Sequence, residues 1–377
     1  MNTIHPSVAC NFDMHLLQAT LPLLESGQVA GMEWSFDALY RVAHVPDWFT
    51  ELLDAFSRSG RLLGHGIFFS LFSGNWTPEQ EQWLRQLSDT ARRFHFDHVT
   101  EHFGFMTGAD FHRGAPMSIP MNSRTLAIGS DRLRRVSDAC QRPVGIENLA
   151  FAQSYDEAQR QGAFLAQLVE PVNGLLILDL HNLYCQLHNF DISFEQLLHT
   201  YPLERVREIH ISGGSREQSS WRPHQSVRRD THDDRVPEMV FHLLKETLPQ
   251  CPHLKYVVLE QLGTSLHTAE AQQGFREDFI LIKNIINNFN IKNTNPAEEQ
   301  IHPFLSPIKK DMPGTPLTDA ELFQQQRQLA HILENAATVP EAQELLRQSA
   351  LAHSDWYPEQ WEPYMLEAAM AIAQKWK

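Results

Sequence analysis

Short apolar runs alternate with longer stretches of helical periodicity over most of this chain. Candidate strands fall at about Ser7–Cys10, Val29–Trp34, Arg61–Phe69, Phe96–His102, Arg142–Asn148, Leu175–Leu178, Val206–Ser212 and Leu254–Glu260. Between most of them lie amphipathic segments, at His15–Leu24, Asp47–Ser57, Thr77–Arg93, Ser130–Ala139, Ser154–Gln167 and Val236–Leu248. A run as apolar as Leu175-Leu176-Ile177-Leu178 reads as a strand buried on both faces, the condition of a parallel sheet covered by helices. Thr77-Pro78-Glu79-Gln80 marks one helix start: threonine caps, proline fits the first turn, and glutamine completes a capping box. The repeated strand-helix unit over residues 1 to about 290 predicts an α/β fold, a (β/α)8 TIM barrel.

The pattern changes after the apolar helix Phe279–Ile286. Residues 291–316, rich in Asn and Glu and spotted with Pro, read as a linker. Residues 317–377 read as a small C-terminal helical extension, opened by the capping box Thr318-Asp319-Ala320-Glu321 and followed by helices at Val339–Ala352 and Glu362–Trp376. It is expected to cover part of the barrel, make a dimer contact or dock a partner, and it carries no catalytic constellation.

Composition narrows the chemistry. The 377 residues carry a net charge of −15, which argues against a nucleic-acid partner held through its phosphates. The start of the chain lacks a basic region followed by an apolar one, and no apolar run reaches the roughly 20 residues of a membrane span, so a soluble cytoplasmic protein is expected. Cys10, Cys140, Cys185 and Cys251 are far apart and read as buried thiols. Twenty histidines turn attention to imidazole chemistry.

Aligned by their last residues, the candidate strands end in the same kind of side chain: His65, His102, Glu147, Asp179, His210 and Glu260. Asp230 and His232 lie between the last two, spaced to share a side if the chain is extended there. His181 and Asn182 follow Asp179. Each has a plain structural reading: a histidine at a strand end is more often a hydrogen-bonded packing residue, and Asp179 alone fits an Asx turn or a helix cap. Together they form a cluster with too many ligands for one ion, and mixed imidazole and carboxylate donors suit zinc, iron or manganese. In a barrel these ends converge where active sites sit.

The set Gly64-His65-Gly66, Glu101-His102-Phe103, Gly145-Ile146-Glu147-Asn148, Leu178-Asp179-x-His181-Asn182-x-Tyr184, Ile209-His210-Ile211-Ser212-Gly213, Asp230-Thr231-His232-Asp233 and Leu259-Glu260 resembles the DUF692 family over roughly residues 5 to 285. These are multinuclear non-heme iron oxidases of the methanobactin- and 3-thiaglutamate-biosynthesis kind. The resemblance implies a xylose-isomerase-like barrel holding two or three irons, mixed-valent Fe(II)/Fe(III), with dioxygen as co-substrate and zinc less favoured. It implies oxidative modification of a residue, usually cysteine, of a ribosomally made precursor peptide, assisted by a leader-recognition partner protein. Carried onto this chain, His65, His102 and Glu147 would hold one iron, and Glu147 would bridge to a second held with Asp179, His210 and Glu260. Asp230 and His232, with His181 or Asn182, would hold a third. Asparagine is usual where His181 stands, which bears on the third metal. Two other readings remain at this point: a metal-dependent hydrolase or isomerase like endonuclease IV or the sugar isomerases, and a non-catalytic binding scaffold.

Overall fold

The computed structural model describes residues 3–42, 44–293, 303–304 and 314–377. Eight parallel strands close into one barrel in chain order: β1 (His5–Ala9), β2 (Gly31–Trp34), β3 (Leu62–His65), β4 (Phe96–His102), β5 (Val144–Glu147), β6 (Leu175–Asp179), β7 (Val206–Ile211) and β8 (Tyr256–Leu259). β8 pairs back onto β1, so no edge is left open. Each expected strand is present. The one expected over Arg61–Phe69 stops at His65, because the next amides leave the ladder: Ile67 and Phe68 both donate to Asp37 Oδ2, at 2.9 and 3.0 Å.

The helices follow their caps. Pro78–Arg93 starts with the reciprocal Thr77 and Gln80 hydrogen bonds that its sequence predicts. Ser123–Cys140 begins earlier than its apolar periodicity suggests, since Asn122 and Thr125 cap each other's backbone about two turns upstream. The apolar segment Phe279–Ile286 is the middle of one helix, Ala269–Asn293, which therefore runs into the first residues of the expected linker. Residues 294–302 and 305–313 of that stretch lie outside the described residues.

The main apolar core fills the space between the strands and the surrounding helices. Fully burying one aliphatic side chain there stabilises the fold by about 1.5–3 kcal/mol. Inside the barrel the separate apolar cluster is small, comprising Ala9, Leu63, Tyr256 and Val258. Barrels of this kind usually stack layers of branched aliphatic residues there. Here much of that space belongs to polar side chains, and register brings them together: His102 lies opposite Glu147, and Asp179 opposite His210.

The extension consists of helices Ala320–Asn335, Val339–Arg347 and Pro363–Lys375, packed on the barrel. Its first helix is capped by Asp319, not by Thr318 as the capping-box spacing suggests. Asp319 accepts from the Leu322 amide at 3.0 Å while its own amide donates to the Gly74 carbonyl at 2.7 Å, so docking on the barrel selects the cap. Gln326, buried, then spans the same loop: its Oε1 accepts from the Gly74 amide at 2.9 Å and its Nε2 donates to the Phe72 carbonyl at 2.8 Å.

Candidate metal centre

Six strand ends supply one buried floor. His65, His102, Glu147 and Asp179 each close a strand, His210 is the last inward position of β7, and Glu260 follows β8 directly. Glu147 stands in the middle. Its Oε2 is 3.3 Å from His65 Nε2 and 3.5 Å from His102 Nε2, and its Oε1 is 3.2 Å from His210 Nδ1. Glu260 repeats the arrangement, with Oε2 3.1 Å from His210 Nδ1 and Oε1 3.3 Å from His232 Nδ1. Ligand atoms of His65, His102 and Glu147 all lie within 4.8 Å of one another, and so do those of Glu147, Asp179, His210 and Glu260.

The remaining expected residues form a chain beside these groups. Asp230 Oδ1 lies 3.2 Å from His181 Nδ1 and 2.7 Å from His232 Nε2. Asp230 and His232 do meet, but not along an extended segment: His232 has φ 50°, a left-handed conformation unusual for histidine, and its carbonyl accepts from the Leu262 amide at 2.8 Å. Asn182 is tied to the strand end before it, donating from Nδ2 to the Asn148 carbonyl at 2.8 Å. The backbone of Asp179 is held by Asn148 in both directions, amide to Oδ1 at 2.7 Å and Nδ2 to carbonyl at 3.2 Å.

The nitrogens facing away from the centre are partnered, which sets the ones facing in. The Thr100 hydroxyl donates to the Gly64 carbonyl, so it accepts from His65 Nδ1 at 2.8 Å and leaves Nε2 toward Glu147. His102 Nδ1 donates to the Gly66 carbonyl at 3.0 Å. His210 Nε2 donates to Glu33 Oε2 at 3.0 Å. Such outer partners fix ring orientation and tautomer in metal sites. Asp179 divides its two oxygens: Oδ1 accepts from the Asn182 amide at 2.5 Å, capping helix Leu180–Phe190, and Oδ2 is buried without a hydrogen-bond partner.

Asp179 Oδ2, His181 Nε2 and Asn182 Oδ1 are buried without a hydrogen bond, and His210 Nδ1 and His232 Nε2 face only carboxylates. An unmet buried polar group costs about 1–3 kcal/mol. So many lone pairs gathered at one floor fit divalent cations of the zinc, iron and manganese type. The charge balance agrees. Burial, with Asp230 and Glu147 adding to it, pushes Asp179 up to about 8, and burial also raises Glu33. Against burial, the carboxylates of Glu33 and Glu147 push His65 up to about 9. Burial and His65 lower His102 to about 4. Against burial, neighbouring imidazoles hold Glu147 and Glu260 well below the usual carboxylate range, and Asp230 at about 2. In the metal-free chain protons on Asp179, His65, His210 and His232 balance the ionised carboxylates of this floor, and a bound cation would take their place.

Sequence reasoning missed Glu33, Glu208 and His98. Glu208 Oε2 is 2.6 Å from His98 Nε2, whose Nδ1 is 2.9 Å from Asp97 Oδ1, so hydrogen-bonded polar groups continue down the barrel axis. Glu33, Glu208 and His210 also present ligand atoms within 4.8 Å of one another. The signal was available: Glu208 precedes His210 by two, and His98 precedes Thr100 and His102 by two and four, the period of one strand face. Above the floor lies a cavity of about 590 Å³, bounded by His102, Asp230 and His232 below and by Met365, Ala368 and Ile372 on one wall.

Fold and floor define the class, a closed parallel TIM barrel with candidate metal-binding groups at the carboxyl ends of its strands. The chain belongs to the family described as RiPP precursor modification enzyme MbnB/TglH/ChrH, whose model matches residues 41–270. It is similar to a UPF0276 protein of Shewanella loihica, 26% identical over 180 residues, which are 48% of this chain and 62% of that protein. A UPF0276 protein of Acaryochloris marina is 30% identical over 152 residues, 40% of this chain and 54% of that one. The chain thus spans less than two thirds of the length of these relatives. In fold it resembles a solved IOLI protein with a binding zinc atom, at 12% identity and a TM-score of 0.50, over 75% of this chain and 99% of that one. No helix among the described residues is long and apolar enough to cross a membrane.

Proposed function

We propose that the chain is an iron-dependent, dioxygen-consuming oxidase that modifies a residue, cysteine in the first place, of a ribosomally made precursor peptide. The observation that supports this reading is the pair of imidazole and carboxylate groups sharing Glu147, at the floor of a cavity, in a chain of this family. His65, His102 and Glu147 would hold one iron, and Glu147, Asp179, His210 and Glu260 a second. Asp230 and His232, with His181 or Asn182, would hold a third. Iron there would supply redox capacity, in a mixed-valent Fe(II)/Fe(III) state, and a Lewis acid that makes a cysteine thiol anionic at neutral pH.

The chain's own residues supply the rest. Thr100, the Gly66 carbonyl and Glu33 hold the imidazoles in one orientation, so the ligand atoms need little rearrangement. Glu147 faces three imidazoles and Glu260 two, and these carboxylates offset the positive charge there. The apolar wall above His102 and His232 displaces water from the reacting side chain. A separate leader-recognition protein belongs to the same proposal.

Anaerobic purification with elemental analysis and Mössbauer spectroscopy tests the metal, and aerobic incubation with a cysteine-bearing precursor peptide, read by mass spectrometry, tests the reaction. Iron bound to the chain and an oxygen-dependent mass change in the peptide are expected. Turnover indifferent to iron, or a protein active with zinc alone, would overturn the reading.

A further inference from the structure

The helix Pro363–Lys375 lies outside the stretch matched by the family model, yet it forms a wall of the cavity above the candidate metal floor. It is fastened there along its length. The Glu362 amide donates to the Gln153 carbonyl at 3.0 Å, the Tyr364 hydroxyl to the Asn189 carbonyl at 2.8 Å, and the Ser219 hydroxyl to Glu367 Oε2 at 2.5 Å. At its far end the Gly114 amide donates to the Trp376 carbonyl at 3.2 Å. Met365, Ala368 and Ile372, spaced three and four apart on one helix face, turn to the cavity.

The rim has the opposite character. In a chain of net charge −15, the cavity lining includes the exposed Arg113, Lys375 and Lys377, of which Arg113 pairs with Asp110 at 3.9 Å, and deeper in the buried Arg228 and Arg229. Arg229 is matched by Glu217, and Arg228 is stacked 4.2 Å above the Tyr184 ring. Lys375 pairs with no carboxylate among the described residues; its ammonium sits 5.3 Å over the Trp376 ring. An occupant that reaches His102 and His232 on the floor lies along an aliphatic helix face that ends in cationic groups at the exposed side of the cavity. The complementary ligand carries an aliphatic side chain and a carboxylate.

We propose that Pro363–Lys375 is the specificity element of this protein. It receives a peptide segment with an aliphatic side chain next to the reacting residue, against Met365, Ala368 and Ile372, and a carboxylate beyond it, against Lys375. This rests on the peptide-modifying function proposed above. The carboxylate is an acidic side chain or the end of the peptide, and the test separates the two.

The probes are dansylated, C-terminally amidated peptides Gly-Cys-Leu-Glu, Gly-Cys-Leu-Gln, Gly-Cys-Ser-Glu and Gly-Cys-Ser-Gln, together with Gly-Cys-Leu bearing a free carboxyl end. Binding to the full, metal-loaded chain is read anaerobically by fluorescence anisotropy. The Leu/Glu peptide is expected to bind about tenfold or more tighter than the Leu/Gln and Ser/Glu peptides, with the charge preference shrinking as salt rises. Lys375→Glu, at an exposed position, should erase the Glu-over-Gln preference, and Ile372→Ser, at a half-buried one, should erase the Leu-over-Ser preference. Unfolding temperatures of both variants show that the fold is kept. Equal binding of all peptides, absence of binding to any of them, or discrimination unchanged in both variants overturns the inference. Tight binding of the free-carboxyl tripeptide assigns the carboxylate to the peptide end. Elemental analysis reports on the oxidase reading separately: a zinc-loaded chain that still discriminates keeps the specificity element and removes the iron chemistry, while an iron-loaded chain that oxidises cysteinyl peptides indiscriminately does the reverse.

Discussion

Glu147 faces both compact ligand groups, so its replacement should act differently from that of any neighbour. Glu147→Gln is expected to lose metal from both groups, whereas His65→Ala should leave the group of Asp179, His210 and Glu260 loaded; elemental analysis per chain checks this. A second prediction concerns pH. In the metal-free chain His65 is pushed up to about 9, and His210 and His232 are held well above the ordinary histidine value by the carboxylates around them, against burial. They are therefore protonated at pH 7. Their contribution to metal-free stability is complete below about pH 6.5 and is lost as pH rises through the raised values. Metal must displace those protons, so binding should release protons and tighten as pH rises toward 9. Calorimetry in buffers of different ionisation heat measures the number released; zero release would contradict the charge assignment.

Asp179 ends β6 and caps the helix that follows with one of its two oxygens. The helix-cap reading of this residue is therefore realised through Oδ1, and Oδ2, without a hydrogen-bond partner, is the oxygen a metal would take. Asn can cap as well as Asp, so Asp179→Asn should leave metal-free stability within about 0.5 kcal/mol while weakening metal binding, and Asp179→Ala should cost about 1 kcal/mol in addition. Thermal unfolding of the metal-free variants beside their metal content separates the two effects. Gln326 joins the extension to the loop after β3 through a buried donor and a buried acceptor. Gln326→Ala leaves both backbone groups unmet and should lower stability by about 2–4 kcal/mol. A single cooperative unfolding transition shifted as a whole is expected; a separate early transition would show that the extension folds apart from the barrel.

Adding metal to the metal-free chain should raise the unfolding temperature in a concentration-dependent way, by about 4 kcal/mol of stability at a thousandfold excess over Kd. Scanning calorimetry against iron or zinc tests it, and a chain indifferent to both would place the cluster among structural polar networks. The closed barrel was legible because parallel strands buried on both faces must be apolar throughout, and their length and spacing left one economical way to close them. The candidate ligands His65, His102, Glu147, Asp179, His210 and Glu260 were legible because a polar side chain at the carboxyl end of such a strand breaks an otherwise apolar pattern.

Glu33, Glu208 and His98 were not, since an ionisable residue inside a strand has no recognisable role until register shows what faces it across the barrel. The left-handed turn at His232, the choice of Asp319 over Thr318 as a cap and the seating of Pro363–Lys375 over the floor depend on contacts between distant segments. What the amino-acid sequence determined alone was the strand-helix alternation and the kind of donor at each strand end, because these follow from local periodicity and residue chemistry. Tertiary structure decided which donors share an ion-sized space, which nitrogen of each histidine faces it and what covers the cavity, because those depend on distances across the closed barrel that no local pattern encodes.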